Sequence, residues 1–519
     1  MGNIKTYSFF NNIGGMNTRY NEVSLRDAEA EDILNLHTTQ TGSWSSRNTG
    51  FVRRHDTALD SGAAIRSLYH YQPEQGQARI VVGAGDKLWV FEPGLSGFTQ
   101  IHAGLTSNQR MNFVTMNGRL IGCNGVDTPI RWDGTGNVET LDGWPPEVPG
   151  VTPGYPGISA LFNNRLVFAG DTQNPSLLYL SELETPENFT PDTGATSAGA
   201  IQVSPGDGER ITGLKSLFLP IENEEVLIIF KENTTYMLTG HDADTFNLQR
   251  LSQEFGAVNH HSIVVVGNEL MFLSREGVTT LSTATLQGNL TTGFISDKIR
   301  RRFDRLNPES LNESFAIHLR NRQEVWWFVP DGSAMENNRV LVYNYANAAQ
   351  VGPVWSVRSG ITAACGALVE GVLYTGSYSG FVHQQLIGNS YDGEAIEWRY
   401  RTPFYDFSSP RIRKRIRDIQ FYLRQIAPSS ITLRSTWDVR RAVSAQESET
   451  LAVVPEGEYS LFGASVYGSQ TYNDVGVAMV QSMPPGSGRT FQMELSGNAV
   501  NQPVEIEGWT ISAMYGGFQ

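Results

Sequence analysis

VTMNGRLIG, at residues 114–122, is a run of apolar residues, a two-residue polar turn and a second apolar run. The same phrase returns as ALFNNRLVF at residues 160–168, VVVGNELMF at residues 264–272 and ALVEGVLYTG at residues 367–376. Asn-Gly and related dipeptides supply the positive φ values of a tight hairpin turn, and the flanking β-branched and aromatic residues favour strands. A hairpin that recurs with variation indicates a repeated β-architecture.

Variants of this hairpin recur between residues 61 and 400, at a spacing of roughly 40 to 55 residues, which is typical of propeller blades. We can delimit one such unit after another, and together they predict a β-propeller of about seven blades, within a range of six to eight. A closed ring of blades leaves few exposed sheet edges. The fold class is therefore predicted to be all-β, with residues 61–400 forming the propeller.

The two ends of the chain follow other patterns. Within residues 1–60, the stretch LRDAEAEDILNL (25–36) predicts a short helix or turn with an acidic exposed face, and residues 41–54 predict one hairpin. Residues 401–519 contain several stretches in which apolar and polar residues alternate, such as IRDIQFYLRQ and SSITLRSTW. We expect them to form an antiparallel β-sandwich, or platform, that packs with residues 1–60.

Composition narrows the class of protein further. The formal net charge of −14 argues against a simple cationic nucleic-acid binder, although it leaves open a channel through which DNA merely passes. Cys123 and Cys365 both lie in apolar, strand-like contexts and are expected to be reduced core residues. No apolar run approaches the roughly 20 residues of a membrane-spanning helix, so a soluble protein is expected.

The densest basic cluster is PRIRKRIRDI, at residues 410–419. Side chains alternate between the two faces of a strand, so one face of an extended segment here would carry Arg411, Arg413, Arg415 and Arg417. Three interpretations are open: a solvated edge strand protected by charge, a contact with a neighbouring subunit, or a contact with DNA phosphates.

A second basic cluster, DKIRRRFDRL at residues 297–306, has helical spacing. Ile299, Phe303 and Leu306 would share an apolar face. The residues left exposed would then be Arg300, Arg301 and Arg302. An ordinary solvated helix face and a contact with a neighbouring subunit both fit this pattern.

Signatures of catalysis are weak. GSYSG, at residues 376–380, resembles a nucleophile elbow, but Tyr378 stands where the nucleophile would be, and a turn at a strand end explains it better. His260 and His261 lack a third ligand at metal-binding spacing. We therefore expect no enzyme, no cofactor and no metal site.

Three stretches near the start of the chain occur in a distinctive order: FNNIGGMN (10–17), AEAEDILN (28–35) and GSWSSRNTG (42–50). Together with SGRTFQMELSG and PVEIEGWTISAMYGG near the other end, they resemble the terminal patterns of tail nozzle proteins of short-tailed bacteriophages. That family is also called tail tubular protein B or packaged-DNA stabilisation protein. Its members place a β-propeller between such ends, so the resemblance spans the whole chain.

This resemblance implies a structural virion protein that is made in the host bacterial cytoplasm and built into the tail. The expected assembly is a hexameric ring below the portal and its adaptor, the head–tail connector protein. The ring would line the exit channel for double-stranded DNA, help to retain and then release the genome, and carry a tail fibre or tailspike, so that it meets the host cell surface only indirectly. The resemblance implies no cofactor. The motif positions that would then be candidates for adaptor docking are Gly14, Gly15, Asn17, Asn35 and Arg47.

Two other classes of protein remain open at this point. One is a carbohydrate-binding or receptor-binding propeller, with or without hydrolase activity, which needs a pocket lined by aromatic residues and carboxylates. The other is a cellular scaffold propeller, for which the terminal segments have no special purpose.

Overall fold

The computed structural model describes residues 4–39, 41–92, 97–192, 194, 196–219, 223–242, 244–282, 294–424, 429–438, 446–453 and 477–516. Seven short strands precede the propeller blades: β1 (Ile4–Phe10), β2 (Gly15–Met16), β3 (Glu29–Ala30), β4 (Asp32–Leu34), β5 (His37–Thr38), β6 (Trp44–Ser45) and β7 (Phe51–Arg53).

The middle of the chain forms antiparallel sheets in sequence order. Blade 1 contains β8 (Ile65–Tyr71), β9 (Arg79–Ala84), β10 (Lys87–Phe91) and β11 (Phe98–Ala103); blade 2 contains β12 (Asn112–Met116), β13 (Arg119–Cys123), β14 (Ile130–Trp132) and β15 (Glu139–Thr140). Blade 3 contains β16 (Ile158–Phe162), β17 (Arg165–Ala169), β18 (Leu177–Leu180) and β19 (Gly199–Gln202); blade 4 contains β20 (Ile211–Leu219), β21 (Glu224–Lys231), β22 (Thr235–Thr239) and β23 (Asn247–Ser252).

Blade 5 has three strands among the described residues: β24 (Ile263–Val266), β25 (Glu269–Leu273) and β26 (Val278–Thr280). Blade 6 contains β27 (Phe315–Leu319), β28 (Glu324–Val329), β29 (Arg339–Asn344) and β30 (Val354–Ser359). Blade 7 contains β31 (Cys365–Val369), β32 (Val372–Gly376) and β33 (Val382–Gln385), and its outermost strand is β7 from the start of the chain.

The blades close into a ring. The first strand of each blade contacts the first strand of the next, and β31 of blade 7 contacts β8 of blade 1. Buried apolar clusters fill the spaces between successive blades; the one between blades 7 and 1, for example, contains Ile65, Val82, Cys365 and Val382. The predicted seven-bladed β-propeller is confirmed, and β7 contributes the outer strand of its last blade.

The hairpin turns follow the sequence signal that predicted them. Asn117-Gly118 has φ values of 50° and 71°, and Asn163-Asn164 has φ values of 46° and 57°. Positive φ at both central residues matches the twist of the paired strands, which explains why Asn and Gly occupy these positions. In each case the flanking strands pair in an unbroken antiparallel register.

The platform is built from both ends of the chain. The C-terminal strands are β34 (Trp398–Arg401), β35 (Lys414–Arg424), β36 (Ser429–Trp437), β37 (Gln446–Val453), β38 (Val477–Ser482), β39 (Phe491–Gly497) and β40 (Glu505–Tyr515). One six-stranded sheet has the order β38-β35-β40-β6-β5, with β1 also paired to β40. This arrangement confirms the expected packing of residues 1–60 with the C-terminal strands.

A second sheet joins the platform to the propeller. Its nine strands run β27-β28-β29-β30-β4-β34-β39-β36-β37, so that β4 lies between blade 6 and the C-terminal strands. Leu34 pairs in parallel with Val357 of β30, and it pairs antiparallel with Arg399 of β34. One apolar core extends from Trp327 and Trp355 of blade 6 to Trp509 of the platform. The two parts therefore share a sheet and a core.

Helical structure is sparse in the part of the chain that is described. Two α-helices, α1 (Arg300–Phe303) and α2 (Ala348–Val351), are each a single turn, and short 3₁₀ segments occupy Leu59–Gly62, His260–Ser262, Ile295–Ile299, Leu311–Glu313 and Arg320–Arg322. The helix at 297–306 is thus confirmed as one α-turn preceded by a 3₁₀ turn. Its predicted apolar face, Ile299, Phe303 and Leu306, is buried.

Two expectations about the start of the chain are wrong. Residues 25–36 form no helix with an acidic exposed face; they contain β3 and β4, with Glu29 and Asp32 buried. Residues 41–54 form no single hairpin, because β6 pairs with β5 and β40 whereas β7 pairs with β33. β7 thus lies before residue 60 and yet belongs to the propeller, and β34 extends across residue 400.

Candidate functional sites on the platform and in the propeller channel

The strand that joins the platform to the propeller is held by a buried ion-pair network. Asp32 of β4 is 4% exposed and pairs with Arg302 of α1 at 2.6 Å and with Arg399 of β34 at 2.9 Å. A buried carboxylate is stable only when it is paired and hydrogen-bonded. Asp32 therefore ties three segments together that are distant in sequence.

Neighbouring carboxylates extend this network. Glu29 lies 3.3 Å from Nζ of Lys298, which also donates a hydrogen bond to the Gly14 carbonyl at 3.1 Å. Glu31 lies 3.5 Å from Arg401, which pairs in addition with Glu494. The acidic residues of this segment serve as internal anchors, and the sequence analysis missed this role.

The two glycines proposed for adaptor docking are buried inside the chain. A Cβ on Gly14 would lie 2.6 Å from the Ala28 carbonyl oxygen, and a Cβ on Gly15 would lie 2.8 Å from the Trp355 backbone nitrogen. Gly15 also has a φ of 74°. The Gly-Gly pair is explained by close backbone packing against β3 and blade 6.

The two asparagines of the same set are also internal. Asn17 is 3% exposed, and its side-chain oxygen accepts a hydrogen bond from the Arg19 backbone. Asn35 is 1% exposed with a φ of 54°; it donates to the Glu397 carbonyl at 2.7 Å and accepts from the Ser359 backbone nitrogen at 2.9 Å. Asn tolerates this left-handed conformation better than other residues with a side chain.

Arg47 is the remaining candidate for adaptor docking, and it is half-buried next to the turn that leads from β6 to β7. Its charge lies close enough to His37 to lower the pKa of that imidazole, after the larger effects of burial, Arg322 and Arg358. Four of the five motif residues therefore stabilise the platform from inside. These four residues are buried and are not available to contact a partner.

The arginine stripe lies where β35 begins. Arg415 and Arg417 are exposed on the strand and alternate with buried Lys414 and Ile416, as predicted. Arg411 and Arg413 are also exposed but precede the strand, and Arg413 donates to the Ser487 carbonyl at 2.8 Å. The strand pairs with β40 over most of its length, whereas its pairing with β38 begins only at Ile419, so the arginine-rich half borders a partly open edge.

The three arginines of the second cluster have different environments. Arg300 is exposed and pairs with Asp304 at 2.8 Å. Arg301 is exposed and has no hydrogen bond or ion pair to any described residue. Arg302 belongs to the Asp32 network and is not available for a partner. The three thus divide into one structural side chain and two surface side chains.

This division predicts unequal effects of substitution. Arg302→Ala is expected to lower the free energy of unfolding by about 1.5–3 kcal/mol, because it removes a charged hydrogen bond from buried Asp32. Arg301→Ala, the matched control, is expected to change it by no more than about 0.5 kcal/mol. Urea unfolding of both variants measures the difference. Equal effects would contradict the division.

A cavity of about 400 Å³ lies in the propeller channel, at the end where the first strands of the blades begin. Its lining comes from six blades and includes Arg66, Arg110, Arg210, His260, His261 and Glu313. The first strands of a propeller run side by side around the channel, so residues far apart in sequence meet at one end of it. We call this site the channel mouth.

The channel mouth is fixed by contacts between blades. Arg66 pairs with Glu313 at 2.7 Å. Arg110 Nη2 donates to the backbone carbonyls of Glu313, at 2.9 Å, and Ala364. These bonds join blades 1 and 2 to blades 6 and 7 across the ring.

Burial, followed by nearby positive charge, lowers the pKa of the two histidines there. Burial and the nearby Lys215 lower the pKa of His260 to about 3. Burial lowers the pKa of His261 well below its ordinary value, and Arg110, His260, Lys215 and Arg66 lower it further, in that order. Both imidazoles are therefore neutral near pH 7.

The remaining sequence motifs have structural explanations. Cys123 and Cys365 are free and buried, as predicted, and burial raises the pKa of each thiol to about 12. GSYSG forms the turn between β32 and β33, and the Tyr378 hydroxyl accepts a hydrogen bond from the Asn337 backbone nitrogen at 3.1 Å. The described residues contain no group of three or more potential metal ligands. None of the helices in the described ranges has the length and apolar character needed to cross a membrane.

The ring of blades closed by β7 defines this protein as a β-propeller with an added platform. No family model matches the sequence, and no curated protein matches it. Among solved structures, it is similar to the Dos1 propeller (12% identity, TM-score 0.40, 64% of this chain and 94% of that chain). It is also similar to YCF48 from Cyanidioschyzon merolae (11% identity, TM-score 0.37, 63% and 96%) and to a chain of the mitotic checkpoint complex (9% identity, TM-score 0.35, 64% and 98%). The assignment of the fold rests on the strand pairing of the chain itself.

Proposed function

We propose that this chain is a structural subunit of a short-tailed phage tail nozzle, in which a hexameric ring below the portal adaptor surrounds the exit path of double-stranded DNA. It would hold the genome in the particle, release it on infection, and provide attachment for a fibre or tailspike. No chemical step is assigned to it.

The observation that carries the proposal is the folding of both chain ends into one platform. The three N-terminal stretches that resemble the nozzle family lie in or beside β2 to β7, and the C-terminal stretches form β39 and β40. Glu505 and Ile506 of β40 pair directly with β6. These motifs thus contribute to neighbouring sheets that share one apolar core, which supports a common docking platform.

The charge of the chain supports the same role. A channel wall with many phosphate-binding cations would slow the DNA through numerous ion pairs. A net charge of −14 disfavours such binding. Like charges also repel when six copies assemble, and exposed arginines can offset that repulsion by contacting acidic residues of a neighbouring copy.

Arg415 and Arg417 provide the test of this assembly. They are exposed, and neither makes an ion pair with a described residue. The double variant Arg415→Glu, Arg417→Glu is expected to keep its melting temperature but to associate into rings at least tenfold more weakly, because each attraction becomes a repulsion. Analytical ultracentrifugation of the chain mixed with its adaptor measures this association.

The matched control reverses two exposed arginines on the propeller, Arg250→Glu and Arg275→Glu. It is expected to form rings as the unaltered chain does. Unchanged ring formation by the platform variant would show that Arg415 and Arg417 do not lie in the interface between copies. A chain that stays monomeric with its adaptor at every concentration would contradict the proposed function itself.

The glycan-binding alternative requires a pocket of aromatic residues and carboxylates. Among the described residues that line the channel mouth, none is Phe, Tyr or Trp. Its two carboxylates are both engaged: Glu313 pairs with Arg66, and Asp171 accepts hydrogen bonds from Tyr179 at 2.7 Å and Asn174 at 2.9 Å. The channel mouth therefore offers no support for that alternative.

A further inference from the structure

The six-stranded platform sheet has an open edge at β1. Among the described residues, β1 pairs with β40 alone, and β6 reaches β40 only at Glu505 and Ile506, beyond the end of β1. The outer edge of β1 therefore presents backbone N–H and C=O groups that pair with no described strand. We propose that this edge pairs antiparallel with β1 of a second copy of the chain, which joins the two platform sheets into one.

β1 lacks the features that normally protect an edge strand. Native edge strands are short, or they carry Pro, a β-bulge or an outward-pointing charge. β1 has seven residues without Pro, and its register with β40 runs from Ile4 to Phe10 without a bulge. Its one charged side chain is Lys5, whose Nζ lies 5.4 Å from the centroid of the Tyr515 ring. The charge is thus turned back toward β40, and the outer edge stays open to pairing.

Two other outer strands of the described structure differ from β1 in this respect. β23 ends the sheet of blade 4 and carries exposed Arg250, and β37 ends the nine-stranded sheet and carries exposed Glu449. A charged side chain on an edge strand disfavours pairing with another chain. The contrast singles out β1 as an edge that is built to be covered.

The sequence of β1 is complementary to itself when two copies run antiparallel and centre on Tyr7. Ile4 then lies opposite Phe10 of the second copy, and Thr6 lies opposite Ser8. These four side chains share the exposed face of β1, because side chains alternate along a strand. Ile4 is 40% exposed and Phe10 is 46% exposed, so their contact removes apolar surface from water. Opposed Thr and Ser hydroxyls stabilise the pair by hydrogen bonding.

Only the centred register has this complementarity. It places Lys5 opposite Phe9 of the second copy, so no like charges meet. A shift by two residues in either direction leaves Ile4 and Phe10 without an apolar partner. A shift by one residue would place the exposed face of one strand beside the buried face of the other. The chemistry of β1 therefore selects a second copy in one register.

The contact has two-fold symmetry, since each copy contributes the same strand. A two-fold contact cannot relate neighbours around a six-fold ring, so the dimer is a form of the free chain and does not depend on the proposed function. Its attraction is apolar and hydrogen-bonded rather than ionic, and each copy carries a net charge of −14. Because salt screens the repulsion between the copies, the dimer is expected to persist in about 0.5 M salt.

Analytical ultracentrifugation of the full chain without adaptor measures the dimer and tests its register with two double variants. Thr6→Lys, Ser8→Lys places like charges opposite each other twice and is expected to weaken dimerisation at least about tenfold. Thr6→Lys, Ser8→Glu places lysine opposite glutamate twice and is expected to restore dimerisation to within a few-fold of the unaltered chain. Other registers, and parallel pairing of equivalent residues, do not bring residues 6 and 8 opposite each other and give no such rescue.

The matched control is Asn247→Lys, Gln249→Lys, which adds the same charges at alternate exposed positions of β23. It is expected to dimerise as the unaltered chain does. Melting temperatures confirm that each variant is folded. Hydrogen–deuterium exchange of residues 4–10 requires no variant, and it is expected to slow as the protein concentration rises.

Four results would overturn the proposal. The first is a chain that is monomeric at every concentration, with exchange of residues 4–10 independent of concentration. The second is a dimer that folded Thr6→Lys, Ser8→Lys leaves unchanged. The third is a dimer that this variant weakens and that Thr6→Lys, Ser8→Glu does not restore. The fourth is a dimer that dissociates in about 0.5 M salt, which would assign the association to ionic contacts.

Discussion

Replacing Asp32 with alanine is expected to lower the free energy of unfolding by about 3–5 kcal/mol. The side chain is buried and is the common partner of Arg302 and Arg399, so its removal leaves two partly buried guanidinium groups without their anion. The damage would occur where β4 joins blade 6 to the platform. Chemical denaturation followed by tryptophan fluorescence measures it, since Trp355 and Trp398 lie in the apolar core that the two parts share.

Asp304→Ala is the matched control. Asp304 is exposed and pairs with Arg300 within one helical turn, and pairs of that kind contribute no more than about 0.5 kcal/mol. A loss of stability in Asp32→Ala no larger than in Asp304→Ala would show that the network around β4 does not hold the two parts together.

Deleting residues 1–60 is expected to abolish cooperative folding of the whole chain. The deletion removes β4 from the middle of a nine-stranded sheet and removes β7 from blade 7. Blade 7 would keep three strands and lose the outer one, and the apolar faces beneath both strands would be exposed. Differential scanning calorimetry is expected to show no sharp transition for residues 61–519. A transition like that of the full chain would contradict this view of the fold.

A point substitution isolates the contribution of β7. Phe51 stacks on Tyr391 at 4.9 Å and packs on His383 at 4.6 Å, so Phe51→Ala is expected to cost about 2 kcal/mol. Phe10→Ala is the control, because Phe10 is 46% exposed.

The expected unfolding affects how an assembly experiment is interpreted. Loss of assembly after deletion of residues 1–60 would reflect unfolding and not a missing docking segment.

The propeller could be predicted because its signals are local. The Asn117-Gly118 turn and its relatives specify hairpins through the φ values of two residues, and the flanking strands pair within a few residues of each turn. The alternation of the C-terminal stretches likewise specifies strands such as β35 and β40. Blade number followed from counting hairpins.

The start of the chain could not be predicted in the same way. β4 has three residues, and its partners are β30 and β34, more than three hundred residues away. Residues 25–36 combine acidic residues with spaced apolar residues, which is the local pattern of a helix. They are buried as strands because arginines that are distant in sequence pair with their carboxylates. Pairings of high sequence separation leave no periodic signal.

The channel mouth was missed for a related reason. In the sequence, His260 and His261 form an isolated pair without a third metal ligand, and Arg66 and Arg110 stand alone. Arg66, Arg110 and the His260-His261 pair lie at or near the start of the first strands of blades 1, 2 and 5, and closure of the ring brings them together. A search for charged residues at that position in every blade would have found the cluster, because equivalent positions of a propeller meet at one end of the channel.

Three-dimensional imaging of particles produced from the genome that encodes this chain tests the proposed nozzle role most directly. We expect six copies in a ring below the portal, with the platform of β1, β5, β6, β35, β38 and β40 facing the adaptor and the propellers arranged around the DNA path. Particles that lack the chain, or that carry it as a single copy with both chain ends exposed, would contradict it.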